Sequence, residues 1–307
     1  MGVRRRLAIQ KVLAATLLVL LLASPVLAGR WTFAAIGDNR SVYASYRNVL
    51  QQIKTMSVNV RPKFPPMDFV LAVGDLDPVA KNHKIYQEIF KTSAPVYVPV
   101  RGNHEKPIDV GYIMKNILPG IGNRLHLRNQ ESVQYYMDWN NARVIVLDQY
   151  ADWPDALTNP EALKWLENAI TSATHADHVF IAFHEPEVTR KGQGDAFWEL
   201  LLRHHDKVRA VFVAHTHMYE RRKIGKGEDG IDIINVGNAG KSKHSDNQQT
   251  IVEVMVDDSV VYYRAIQALD GTQEFRLTEE WENSVPKKDP PAGQAKPETT
   301  ATPGQSG

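Results

Sequence analysis

The chain predicts a single α/β domain with mixed sheets. Short, almost wholly apolar runs recur along it, amphipathic helical stretches separate several of them, and hairpin-like segments interrupt the alternation. Residues 31–36, 69–73, 96–100, 179–183 and 208–213 are the apolar runs. Strands covered on both faces read this way. Tyr46, Val49, Leu50 and Ile53 recur at helical spacing, as do Ala162, Leu163, Leu166, Ala169 and Ile170. The second helix has Asn159 as its expected N-cap and Pro160 in its first turn. Phe197, Leu200, Leu201 and His204 mark a third. Residues 133–139 and 142–147 flank Asn140-Asn141, a pair that tolerates a tight hairpin turn. Residues 231–236, 250–256 and 260–266 form a β-rich series, with Asp257-Asp258 as another turn.

With 307 residues, 43% of them hydrophobic, the chain carries enough apolar material for a sizeable core. Residues 1–28 read as a secretory signal: Arg4, Arg5, Arg6 and Lys11 precede an apolar stretch, Val12 to Ala23, which is followed by Ser24-Pro25-Val26-Leu27-Ala28. That apolar stretch is shorter than a spanning helix requires, so cleavage before Gly29 is expected rather than a stable membrane anchor. Its removal takes four positive charges from a net +1 and leaves about −3. A slightly acidic mature chain argues against nucleic-acid binding. The protein is expected to be exported, to the periplasm or the extracellular space. It has no cysteine, which excludes disulfides, a thiolate nucleophile and sulfur ligands. The globular domain is expected over residues 29–285. A disordered tail rich in Pro, Lys and Thr is expected over residues 286–307.

Five motifs sit at the ends of apolar runs: Gly37-Asp38-Asn39-Arg40, Gly74-Asp75-Leu76-Asp77, Gly102-Asn103-His104-Glu105, Phe183-His184-Glu185-Pro186 and Ala214-His215-Thr216-His217. Asp38, Asp75, Asn103, His184, His215 and His217 are the candidate metal ligands. Carboxylate, amide oxygen and imidazole together suit manganese, iron or zinc. A lone Asp after Gly is usually a turn residue and a lone His after a strand is usually structural. Five such motifs in order make chance placement the weaker explanation.

These motifs resemble the calcineurin-like metallophosphoesterase superfamily, and His215-Thr216-His217-Met218-Tyr219-Glu220-Arg221 resembles its purple acid phosphatase-like branch. The resemblance implies two mixed β-sheets packed as a sandwich flanked by helices. It also implies two divalent or trivalent metal ions. Asp38 and His217 would serve the first ion, Asn103, His184 and His215 the second, and Asp75 would bridge them. His104 would lie near the leaving group. The implied activity is hydrolysis of phosphate mono- or diesters, with a metal-bound hydroxide attacking in line at phosphorus. Its expected partner is a small phosphoester.

Three positions depart from the pattern. Arg40 stands where the superfamily usually has His, and a guanidinium has no lone pair to offer a metal. It serves either as a catalytic clamp on a phosphate oxygen or as the partner of a nearby carboxylate. Pro78 stands where the purple branch has its Tyr ligand, and Ala214 replaces the usual Gly. The first metal site is therefore expected to be the weaker. The alternative is an exported, non-catalytic metal- or phosphate-binding protein with a degraded dinuclear site.

Overall fold

A computed structural model describes residues 29–284 except 41, 59–63, 130–131, 152–156, 187–194, 226–229, 241–247 and 269–273. The expected signal segment and tail lie outside the described residues. Two mixed sheets face each other. The first has the order β13-β12-β11-β1-β2-β3, with β1 (Trp31–Ile36), β2 (Met67–Val73) and β3 (Val96–Val100) parallel. Strands β11 (Thr250–Asp257), β12 (Val260–Ala268) and β13 (Phe275–Ser284) extend it antiparallel from β1. The second sheet runs β4-β5-β6-β7-β8-β10-β9. In it β6 (Ala142–Val146), β7 (His178–Ala182), β8 (Val208–Val213) and β10 (Ile231–Val236) are parallel. The antiparallel strands β4 (Leu125–Leu127), β5 (Tyr135–Trp139) and β9 (Tyr219–Ile224) complete it.

The five apolar runs all become buried strands. Between the sheets Phe33 stacks on Phe69 at 4.6 Å and meets Phe180 and Phe212 of the opposite sheet edge-on at 5.3 and 5.7 Å. Such aromatic geometry adds to what area burial alone contributes. Trp31 donates across the same interface to Asn141 Oδ1 at 3.1 Å. Helices α1 (Tyr43–Val58) and α2 (Val79–Phe90) join this core through Tyr46, Val49, Leu50, Ile53, Ile85 and Ile89. A short helix α3 (Pro107–Tyr112) continues into the turns that lead to β4. On the other face of the second sheet, α4 (Pro160–Thr171) and α5 (Asp195–Arg203) cover a second cluster with Leu166, Ile170, Phe197 and Leu201 at its centre.

The helix start expected at Asn159 is realised: its side chain accepts from the Ala162 N–H at 2.7 Å, with Pro160 opening the helix. Asn140 takes the left-handed conformation of the expected hairpin turn, φ 50°. His83 is buried in α2 against Tyr86, Tyr97 and Tyr112. Arg221 is engaged within the fold. It pairs with Glu279 and Asp232 and lies over the Trp281 ring. Among the described residues no helix is long and apolar enough to cross a membrane.

Candidate metal centre

The parallel strands β1, β2 and β3 of one sheet and β7 and β8 of the other end on the same edge of the sandwich, and each is followed by one of the five motifs. Asp38, Asp75, His215 and His217 all have positive φ, between 52° and 71°. They make up four of the seven non-glycine residues in that region of backbone space among the described residues. Left-handed backbone costs an ordinary side chain roughly 1–3 kcal/mol and persists where its surroundings over-determine it, commonly at functional sites. Gly74, φ 79°, precedes Asp75, and a Cβ there would overlap the His184 ring. A Cβ on Gly102 would likewise collide with the backbone N and the side chain of Asp75. The motif glycines let two loops from one sheet and one from the other close onto a single point.

At that point Asp38, Asp75 and His217 each offer a ligand atom within 4.8 Å of the others. His217 Nε2 lies 3.5 Å from Asp38 Oδ1, and His184 Nε2 lies 3.2 Å from Asp75 Oδ1 and 4.0 Å from Asp38 Oδ1. The His215 ring packs edge-on against His184 with centroids 5.2 Å apart. The remaining bonds of these residues fix their orientation. His184 Nδ1 is 2.9 Å from the Val73 carbonyl, which leaves Nε2 aimed at the carboxylates. The His215 N–H donates to Asp38 Oδ2 at 2.9 Å, and the His104 N–H to Asp75 Oδ1 at 3.3 Å.

Asp38 Oδ1 is buried without a hydrogen bond, and His184 Nε2 meets only carboxylate oxygens, Asp75 Oδ1 at 3.2 Å and Asp38 Oδ1 at 4.0 Å. Carboxylate oxygens and an imidazole nitrogen facing the same point are what a divalent cation takes. The electrostatics agree. Burial pushes the Asp38 carboxyl up to about 8, with Asp75 and Glu105 adding to the shift against His184 and the His215 N–H. Burial disfavours the charged form of His184, yet its pairing with Asp75 and the charge of Asp38 prevail and raise it to about 9. Asp75 is held low despite its burial by His184 and His104. The two carboxylates thus lie close together with His184, His217 and Arg40 around them, and a bound cation would neutralise the pair directly. The residues present fit a metal.

Asn103, the remaining candidate ligand, is exposed on the turn between Gly102 and His104. His104 Nε2 stands 3.8 Å from Asp75 Oδ2, with the ring partly exposed. Arg40 turns its Nε toward Asp77 Oδ1 at 3.1 Å and its Nη1 toward Asp75 Oδ2 at 3.8 Å. Of its two expected roles, the carboxylate pair is the one formed here. Pro78 sits just before α2, and Tyr43 carries the Lys81 ammonium over its ring at 3.7 Å. The methyl of Ala214 occupies the space that a side chain at Gly37 would need, which explains how Ala replaces Gly there. The Gly237–Gly240 turn closes against the same edge: the Gly240 N–H donates to the Asp38 carbonyl at 3.1 Å.

Two supporting residues were not legible from sequence. Glu105 was visible only as the last letter of a motif. Its buried carboxylate accepts the N–H groups of Gly102, Asp75 at 3.1 Å and Leu76 at 2.7 Å, clamping the β2 loop to the β3 loop. Gln149 Oε1 accepts both the His184 N–H at 2.9 Å and the Glu185 N–H at 2.6 Å, and its amide donates back to the Glu185 carbonyl. No periodicity or motif marks Gln149, since its role depends on the β6 and β7 strand ends lying side by side.

Comparisons with known proteins follow this geometry. The calcineurin-like phosphoesterase family model matches residues 32–219. No protein among the curated relatives matches. Among solved structures, GAP50, the anchor in the inner membrane complex of Plasmodium, superposes with a TM-score of 0.57 at 13% identity, over 85% of this chain and 90% of that one. PhoD superposes with a TM-score of 0.52 at 12% identity, over 86% of this chain and 71% of that one. Vps29 from Entamoeba histolytica, complexed with zinc, gives 0.42 at 15% identity, over 82% of this chain and 98% of that one. At these identities the likenesses to GAP50 and PhoD speak for the fold alone. The family match covers more than half of the chain and includes all five motifs, and the chain belongs to the calcineurin-like phosphoesterases.

Proposed function

We propose that the protein is a metal-dependent hydrolase of phosphate mono- or diesters. The observation that carries this reading is the convergence of ligand atoms from Asp38, Asp75 and His217 within 4.8 Å of one another, with His184 Nε2 aimed at both carboxylates. These four residues would hold a cation, with His215 beside them. Asn103 would join them by turning inward from its exposed position. A cation bound there supplies Lewis acidity, polarising a phosphoryl oxygen and making water nucleophilic near neutral pH.

The remaining work falls to the chain's own residues. His104, partly exposed beside Asp75, would donate a proton to the departing oxygen. Arg40 keeps its guanidinium partly exposed beside Asp75 and Asp77, where it can take a phosphoryl oxygen while retaining its carboxylate pair. The sandwich holds these groups on strand ends, so little reorganisation accompanies reaction.

The test is hydrolysis of p-nitrophenyl phosphate and bis(p-nitrophenyl) phosphate by metal-stripped protein supplied in turn with Mn, Fe, Zn, Mg or Ca. Turnover restored by at least one ion is expected. No turnover with any ion would favour the second reading, a binding protein with a degraded site. That reading rests on Arg40 in place of a His, and it has a parallel in GAP50, a protein of this fold that serves as an anchor. Export is a further part of the proposal, supported by the basic, apolar, small-residue order of residues 1–28. Native protein whose first residue is Met1 would contradict cleavage.

A further inference from the structure

A cavity of about 370 Å³ opens beside His104 and Asp77, between the start of α2 and α3. Its size is that of a small-molecule pocket. Pro78 and Ala80 form one wall, and Ile108 and Tyr112 form the facing one. Ile108 leaves 81% of its surface in solvent, the most exposed of the large hydrophobic side chains noted in the fold. An apolar ring seated against it would remove that surface from water.

The polar groups around the cavity divide into those already engaged and those left for a ligand. Asp109 accepts from the Val79 N–H at 3.0 Å and from the Lys106 N–H at 3.3 Å, so its carboxylate is committed to the backbone. Asp77 is taken up by Arg40 at 3.1 Å. His104, the exposed Lys106 and the Tyr112 hydroxyl, which lies 3.4 Å from His83 Nδ1, remain. The cavity therefore offers largely apolar walls, with its carboxylates drawn to Arg40 and to backbone N–H groups.

We propose that this cavity is the leaving-group subsite and that it selects phosphoesters of apolar, ring-bearing alcohols over esters of small polyols. The inference rests on the proposed hydrolase reading, in which the phosphoryl group lies at Asp38 and Asp75 and His104 faces the departing oxygen. His104 lines the cavity, so the group attached to that oxygen projects into it. A ring placed there covers Ile108 and Tyr112, and the leaving oxygen stays within reach of the imidazole. A polyol would bring hydroxyls against the side chains of Pro78, Ala80 and Ile108, which offer them no hydrogen-bond partner.

The test compares kcat/KM for 1-naphthyl phosphate with that for glycerol phosphate in wild-type, Ile108→Ser and Ala80→Asp protein. Dividing each variant's rate by the wild-type rate on the same ester removes the difference in leaving-group acidity. Ile108 and Ala80 are both exposed, and an acid in the first turn of α2 suits a helix start, so both variants should fold. The naphthyl-to-glycerol ratio should fall roughly tenfold in each, the scale set by removing one aliphatic contact. Val58→Ser, exposed on α1 and away from the cavity, should leave the ratio where it was. Turnover of both esters with a ratio that does not change in Ile108→Ser or Ala80→Asp would overturn the subsite and leave the hydrolase reading standing. Absence of turnover on every ester would overturn both.

Discussion

Replacing Glu105 tests how the fold aims its central carboxylate. The side chain is 4% exposed and accepts three backbone N–H groups, from Gly102, Asp75 and Leu76. Glu105→Ala leaves all three donors without a partner, each worth roughly 1–3 kcal/mol when buried and unpaired. The three share one acceptor and are not additive, and water can enter from the neighbouring exposed turn at Asn103. The lower end of the sum, about 3 kcal/mol, is therefore expected. Glu105→Gln keeps one acceptor oxygen and should lose about half as much. Urea denaturation in metal-free buffer reads both. Because Asp75 is among the released groups, metal affinity should fall with stability, by roughly 10–100-fold as for other residues that orient metal ligands. A loss below about 1 kcal/mol in Glu105→Ala, or unchanged metal affinity, would refute the clamp.

Three further outcomes follow from the same geometry. Gly74→Ala meets both a φ of 79° and the His184 ring, so it should destabilise by about 2–4 kcal/mol and weaken metal binding, read by urea denaturation and calorimetry. Arg40→His exchanges a cation beside Asp75 for a ligand, so binding of the weaker ion in phosphate-free buffer should tighten about tenfold. Unchanged binding would show that another residue already completes that site. His178 is fully buried and its Nε2 lies 2.7 Å from the Asp258 carbonyl. Burial, partly offset by that bond, lowers its pKa from 6.5 to about 4. Between those values the unfolded chain binds the extra proton, so stability is full above the unfolded value and is lost as pH falls toward the folded one. The loss should be roughly 3 kcal/mol and should be absent in His178→Gln, measured by denaturation at pH 7 and pH 4.

How much was legible depended on where the information lay. Parallel strands such as β1 and β8 are covered on both faces, so their apolar runs mark them in the sequence. The ligand motifs were legible for the same reason, each following such a run. Edge strands were not. Tyr-Glu-Arg-Arg-Lys-Ile of β9 and the glutamate-rich β13 present few apolar residues; their backbones pair with β10 and β12, and Tyr219 and Arg221 then tie one edge to Glu279 of the other. Helix α2 buries Asn82 and His83 within its inward stripe, which blurs its amphipathic pattern. Asn82 is needed there: its amide donates to the Leu76 carbonyl at 2.8 Å and holds the loop behind Asp75. Arg40 showed the limit of motif reading from the other side. Sequence excluded it as a ligand, and only the fold showed which carboxylates it meets.

The central claim is that Asp38, Asp75, His184 and His217 form a metal centre. Its most direct test is a calorimetric titration of Mn(II) into metal-stripped wild-type and Asp75→Asn protein. Asparagine retains the oxygen that accepts from His104, so the fold should survive while one negative charge of the cluster is lost. Saturable binding in the wild type, weakened at least about 100-fold in the variant, is the result expected when a metal-ligating carboxylate is removed. Equal affinity in the two proteins, or no binding to either, would contradict the account.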